Sequence, residues 1–433
     1  MVMVMAMVIE RGQIVVSSGI IDDGVCAWEG DEIIFVGEVE HFQALVAKGS
    51  VTCEENRTVA AVYRRNNKEK TSAGGATVPD NVTLPAPTRN IIMPGLVDEH
   101  VHGGGGVSFP DATTLGDIER GAHEHFRNGT TSIGAAMTTM SVRRMEITAG
   151  LLADAADKGV ISQIMIEGPF LSHQRAGAQN PAHIIEPSVQ VADRIINATR
   201  GYAYGMAFAP EIEGADAVVS HIIGRGLIPT WGHTHCMAQD AHGLNDYAVG
   251  LLRERGSARV PVVNHLFNAM RELRHRSPGP IGEFLAAAAR DEAMVEFIAD
   301  GKHVSMGLVR NIIDILGPDR VCLISDAIAA AGMPDGTYEL GGLQTNVVEG
   351  IARLRGGNLA GGTWFLLDIV RALYESGVRL VDCVQMATMN PARVMGLENV
   401  GELAVGKRAD VLVCGSEGLD LLKVYRAGRE VPR

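Results

Sequence analysis

Two histidines, His100 and His102, close the apolar run Pro94-Gly95-Leu96-Val97-Asp98-Glu99-His100-Val101-His102 just before the glycines Gly103 to Gly106. Residues two apart on a strand point to the same side, so both imidazoles converge at the strand's C-terminal end. Such a pair is expensive to pack and natural as a donor set for a divalent metal ion. Other chemistry-bearing residues sit in comparable places: Glu167 in Met165-Ile166-Glu167-Gly168-Pro169-Phe170, His233 in Trp231-Gly232-His233-Thr234-His235, His265 in Val263-Asn264-His265-Leu266-Phe267-Asn268, and Asp326 in Leu323-Ile324-Ser325-Asp326-Ala327. Each closes a short apolar run where glycine, proline or polar residues begin. Donors of this kind suit one or two divalent ions, which lower the pKa of a bound water to about 7 and polarise a carbonyl. Asp326 is then placed to take the water's proton and return it to a leaving nitrogen, a role worth about 10²–10⁴-fold in rate.

Singly, each residue has a plainer reading. His100 and His102 could be hydrogen-bonded loop groups, Glu167 the partner of an arginine, and Asp326 the cap of a following helix. Taken together, five strand ends carrying such residues favour a metal site over five coincidences.

The elements that must position them follow from the hydrophobic pattern. Apolar runs alternate with amphipathic helical stretches, which predicts βα units and a parallel sheet. Eight candidate strands are legible: Ile91–His102, Thr130–Met137, Val160–Glu167, Met206–Glu211, Leu227–His233, Val260–His265, Val295–Asp300 and Val321–Asp326. Helices are predicted between them, among others over Leu115–Arg127, Ser141–Lys158 and Val304–Leu316. Eight strands alternating with helices predict an α/β fold, a (β/α)8 TIM-like barrel over residues 91–399, whose strand ends open onto one face. Shorter strands flank it at Val4–Ile9, Gln13–Val16, Gly24–Trp28 and Glu32–Val36, and again at Val411–Cys414 and Leu422–Ala427. Residues 1–90 and 400–433 are therefore expected to form a small β-sandwich domain. Within it, residues 40–89 have a charged, polar middle and a proline-rich end, and read as an inserted surface segment.

The chain has 433 residues, 46% hydrophobic and 21% charged, ordinary values for a globular enzyme. A formal net charge of -13 argues against nucleic acid as a partner. Cys26, Cys53, Cys236, Cys322, Cys383 and Cys414 are scattered without a CxxC, which fits reduced thiols in a cytoplasm. The apolar start, Met1 to Ile9, lacks a basic flank and is interrupted by Glu10-Arg11-Gly12, so no membrane anchor or membrane partner is expected.

Motifs along the chain carry a resemblance. They are Pro94-Gly95 with His100-x-His102, Ile166-Glu167-Gly168-Pro169-Phe170, Ala209-Pro210-Glu211, Gly232-His233-Thr234, and His265-Leu266-Phe267-Asn268-Ala269-Met270. Further on stand Arg276-x-Pro278-Gly279, Ala299-Asp300-Gly301-x-His303, Ser325-Asp326-Ala327, Leu359-Ala360-Gly361 and Asn390-Pro391-Ala392-Arg393. In this order they resemble the amidohydrolase superfamily and, within it, the N-acetylglucosamine-6-phosphate deacetylase family. The resemblance implies Glu167, His233 and His265 as ligands of one divalent metal, and His100, His102 and Asp326 as able to hold a second. Zinc is the first choice, with iron, manganese and cobalt suited to the same donors. It also implies a glutamate at the metal where other branches, such as dihydroorotase and urease, use a carbamylated lysine.

For the substrate, an amino sugar phosphate, the resemblance implies contacts from Asn268, Ala269, Arg276 and His303, with Arg276 reaching across a homodimer interface. Arginine suits this because its fork grips phosphate in a way lysine does not; a solvated basic loop is the plainer alternative. Two positions depart from the family pattern. Gln179, in Gly177-Ala178-Gln179-Asn180-Pro181, stands where a histidine usually polarises the acetyl carbonyl; its amide can donate but never be cationic. His235-Cys236 replaces Asn or Asp followed by Ala, and His235 is either an added metal contact or, more simply, a hydrogen-bonded loop residue. Trp364 also replaces a smaller residue and either reshapes the pocket wall or packs. The reaction implied is metal-dependent release of acetate from N-acetylglucosamine 6-phosphate. N-acetylgalactosamine 6-phosphate or another N-acyl compound is the alternative substrate, and a non-catalytic sugar-phosphate binding protein the alternative of another class.

Overall fold

The computed structural model describes residues 7–47 and 84–432, in two compact units: one drawn from the two ends of the chain, up to Leu96 and from Glu398, and one spanning Val97–Leu397.

The larger unit is built on eight parallel strands in sequence order: Leu96–Val101, Thr130–Met137, Gln163–Phe170, Ala203–Phe208, Ile228–Trp231, Val262–Val263, Met294–Phe297 and Val321–Leu323. After the eighth strand the chain returns to the first, where Asp326 N donates to His100 O at 3.1 Å and His102 N to Ala327 O at 2.8 Å. That seam closes the (β/α)8 barrel the pattern predicts. The strands are continuous apolar runs because both faces are covered; the second is buried along its whole length. Helix Leu115–Arg127 coincides with its expected bounds, since Thr114 and Asp117 form a capping box at its start and Ile118, Ala122 and Phe126 face inward. Helices Val142–Asp157 and Met306–Leu316 fall within two residues of expectation.

Some boundaries differ. The single strand expected over Ile91–His102 breaks at Pro94-Gly95. Ile91–Pro94 pairs with Val411–Cys414 and with Gln13 and Ile14 in the smaller unit, and only Leu96–Val101 enters the barrel. Proline supplies no N–H to continue a ladder, so the break falls where the chain changes sheets. The third strand runs past Glu167 to Phe170, and its register with the fourth shifts between Ile166 and Phe170. A meander, Gly336–Leu340, Leu343–Val348 and Ile351–Leu354, follows the eighth strand and was not anticipated. Gly341 and Gly342, at φ +59 and +75, make its first turn in the left-handed region that glycine favours.

In the smaller unit the two ends of the chain join, as expected, in one β unit. It is a continuous seven-stranded mixed sheet with Ile91–Pro94 in the middle of the order. Val4–Ile9 and Gln13–Val16 prove to be one strand, Val8–Val16, and residues 4–6 lie outside the described residues. The segment expected to be irregular from residue 40 begins with a helix, Val39–Ala47, because Val39, Phe42 and Leu45 recur at helical spacing and bury against Phe35. Residues 48–83 lie outside the described residues. Cys26, Cys236, Cys322 and Cys383 are buried and form no disulfide, and Cys414 is buried. No helix among the described residues is long and apolar enough to cross a membrane.

Candidate active site

The C-terminal ends of the barrel strands bring together all six residues expected to bind metal. They form two buried groups, Glu167 with His233 and His265, and His100 with His102 and Asp326, each with its donor atoms within 4.8 Å of one another. Glu167 belongs to both in effect. Its Oε1 lies 3.0 Å from His233 Nε2 and 3.1 Å from His265 Nε2. Its Oε2 lies 3.4 Å from His102 Nε2, which is also 3.2 Å from Asp326 Oδ1. The third strand's irregular register places this carboxylate inside the strand, not at its end.

Three of the four imidazoles are oriented from behind, while Nδ1 of His265 is buried without a partner. Nδ1 of His100 faces Glu296 Oε2 at 3.1 Å, Nδ1 of His102 faces Ala136 O at 3.2 Å, and Nδ1 of His233 faces Arg175 O at 3.0 Å. An N–H is required at each of these contacts, so Nε2 of the neutral ring keeps a lone pair directed at the carboxylates. His100 Nε2 is buried with no hydrogen-bond partner, 3.8 Å from both Glu167 Oε1 and Asp326 Oδ1. Lone pairs turned toward carboxylates repel unless a cation stands between them, so the donor set fits a divalent ion.

The electrostatics agree. Burial pushes the Glu167 carboxyl up, but the imidazoles of His100, His102 and His233 hold it well below the usual range. Burial likewise raises Asp326, and His102, His100 and His265 outweigh it. Burial lowers His102, yet its contacts with Asp326 and Glu167 raise it to about 9. Two carboxylates thus draw positive charge into the centre, and a metal ion supplies it without protons.

The backbone is strained where it presents these groups. His233, His265 and Asp326 have φ of +47, +30 and +48, and Phe267 and Ala269 have +80 and +51. Non-glycine residues in this region carry about 1–3 kcal/mol each and persist where the surroundings over-determine them. His265 N donates to Glu296 Oε2 at 3.0 Å, and Thr234 N to Ala269 O at 3.1 Å. Glu211 ties the same loop, accepting from Thr234 Oγ1 at 2.6 Å and His235 N at 2.7 Å.

Above the donors lies a cavity of about 430 Å³, lined among others by Gln179, Asn268, Ala269, His303 and Asp326. His303 Nδ1 meets Asp300 Oδ2 at 2.8 Å, and its Nε2 is buried and unpartnered. Gln179 is committed: its Oε1 accepts from Thr139 N at 2.6 Å and its Nε2 donates to Glu167 Oε2 at 2.6 Å. Arg276 is exposed and outside this lining, as is the half-buried Trp364. His235 does not turn to the metal donors; its ring nitrogens face Arg175 and Arg271. The sequence reading missed Glu296, though a lone acid within the apolar run Val295-Glu296-Phe297 was a signal. It also missed Arg175 and Arg271, which no spacing singles out.

The amidohydrolase family model matches residues 91–431, and the chain belongs to that family. It is a metal-dependent hydrolase. The N-acetylglucosamine-6-phosphate deacetylase of Lysinibacillus sphaericus is 31% identical over 347 residues, 78% of this chain and 84% of that protein. The N-acetylgalactosamine-6-phosphate deacetylase of Escherichia coli O157:H7 is 30% identical over 363 residues, 82% of this chain and 91% of that protein. A mutant N-acetyl-D-glucosamine-6-phosphate deacetylase of Mycobacterium smegmatis, solved in complex with N-acetyl-D-glucosamine-6-phosphate, superposes with a TM-score of 0.82 at 29% identity, covering 99% of this chain and 100% of that one.

Proposed function

We propose that this chain removes the acetyl group of N-acetylglucosamine 6-phosphate, giving acetate and glucosamine 6-phosphate. The observation that carries the reading is Asp326 at the junction of the donor groups and the cavity, 3.2 Å from His102 Nε2 and on the cavity wall. Glu167, His233 and His265 would hold one divalent ion, zinc first among zinc, iron, manganese and cobalt, and His100, His102 and Asp326 would be able to hold a second. When bound, the ion would lower the pKa of the attacking water and polarise the acetyl carbonyl. Asp326 takes the water's proton as the C–O bond forms and delivers it to the nitrogen as the C–N bond breaks. Gln179 fixes Glu167, and with Asn268, Ala269 and His303 it walls the sugar in. Arg276, exposed on its own chain, reaches the phosphate of a partner subunit in a homodimer. Buried cysteines that form no disulfide, Cys26, Cys236, Cys322 and Cys383, support a cytoplasmic enzyme.

N-acetylgalactosamine 6-phosphate is the second reading, because a relative of nearly equal identity is named for it. Acetate release by metal-replete protein from both epimers and from the unphosphorylated sugar separates the two. Preference for the glucosamine epimer is expected; preference for the other moves the specificity, and no release from any of them rejects the reading.

A further inference from the structure

Arg175 is a guanidinium with unused capacity. It lines the active-site cavity, and no carboxylate lies within ion-pair distance of it among the described residues. Its Nε donates to His235 Nδ1 at 3.0 Å, and this is its one side-chain hydrogen bond among the described residues. Neither terminal nitrogen has a hydrogen-bond partner among the described residues. Glu272, which lines the same cavity, is engaged by Arg274 Nε at 3.1 Å.

His235 sets this arrangement. A neutral imidazole accepts at one nitrogen only, so His235 accepts from Arg175 at Nδ1 and carries its proton on Nε2, 3.3 Å from Arg271 Nη1, a nitrogen that cannot accept it. The imidazole therefore aims the Arg175 guanidinium without cancelling its charge, and Arg271 stands beside it. Arg271 Nη2 donates to Ser277 Oγ at 3.0 Å and, like Arg175, has no carboxylate partner among the described residues. A Cβ on Gly177, at φ +57, would stand 3.1 Å from both Ala269 Cβ and His233 Cε1, so the turn that carries Arg175 is wedged against the cavity wall and a metal donor. A fork of two free N–H-bearing nitrogens, pre-aimed by its third, is the geometry that takes two oxygens of a phosphate at once.

We propose that Arg175 is the phosphate-binding arginine this chain supplies to its own active site, and that His235 is its positioning residue. The proposal rests on the reading of the site as an amino sugar phosphate deacetylase. Because the Arg175 carbonyl also fixes His233, phosphate binding there is joined by one residue to the orientation of a metal donor.

The test is Arg175→Met, Arg175→Lys, His235→Asn and His235→Asp in the full-length metal-replete protein. One readout is the ratio of kcat/KM on N-acetylglucosamine 6-phosphate to that on N-acetylglucosamine. Calorimetric binding of glucosamine 6-phosphate is the other, since it needs no turnover, and metal content checks that His233 still ligates. Arg175→Met lowers the ratio and the affinity about 10- to 100-fold, mainly through KM, and Arg175→Lys recovers part of it. His235→Asn, whose Oδ1 still accepts from Nε, stays near wild type; His235→Asp, which pairs with the guanidinium, follows Arg175→Met. An unchanged ratio and affinity in Arg175→Met, with collapse in Arg276→Met alone, overturns the proposal. If wild type turns over neither sugar, the deacetylase reading fails and the calorimetry still decides whether Arg175 binds phosphate.

Discussion

The two donor groups differ in how they are held. Around Glu167, His233 and His265 the contacts are direct, at 3.0 and 3.1 Å to one oxygen. Around Asp326 they are looser: 3.2 Å from His102, 3.8 Å from His100, and a buried Nε2 on His100 without a partner. Both are reached by Glu167, but only the second contains Asp326, the proton carrier of the proposed reaction. The proposed reaction therefore predicts that metal retention depends chiefly on the first group, and turnover on both.

Glu167→Gln removes the anion common to both groups. It is expected to lose bound metal and to fall below about a thousandth of wild-type turnover, read by metal analysis and acetate release. Asp326→Asn separates the groups: turnover falls about 10²–10⁴-fold while sugar phosphate binding survives. Near-normal turnover in that variant would remove Asp326 from the mechanism. Glu296→Gln acts one layer further out, weakening the acceptor of His100 Nδ1 and His265 N, and should lower metal affinity about 10- to 100-fold. Competition with a chelator measures it.

An effect on stability alone, with none expected on turnover, lies outside both groups. His125 is fully buried, donates from Nε2 to Gly103 O at 2.8 Å, and is pushed down by burial to about 4. The unfolded chain takes up this proton below about pH 6.5 and the folded chain only near 4, so stability is full above 6.5 and falls with pH between the two, by up to about 3 kcal/mol. His125→Gln, which keeps a donor to Gly103 O, should flatten that part of the denaturation profile; an unchanged slope would assign the acid sensitivity elsewhere.

The same contrast governs what the sequence made legible. Residues that end apolar runs, His100, His102, His233, His265 and Asp326, announce themselves because strand periodicity fixes their side and a barrel fixes their end. Glu167 was found too, although its strand runs three residues further than the pattern suggests. Arg175, Arg271 and the orientation of His235 were not legible, since they arise from loops brought together by folding, where no period operates. The break at Pro94-Gly95 could have been read from the proline. The meander after the eighth strand has its one sequence signal in Gly341-Gly342, and its strands are short and largely exposed, so no apolar run marks them.

The central claim is that these two groups bind metal for deacetylation. Titrating zinc into chelator-treated protein, while following acetate release from N-acetylglucosamine 6-phosphate, tests it directly. Release should be negligible without metal and rise to a plateau at one or two equivalents per chain. Acetate release that is indifferent to metal, or absent with both groups filled, would contradict it.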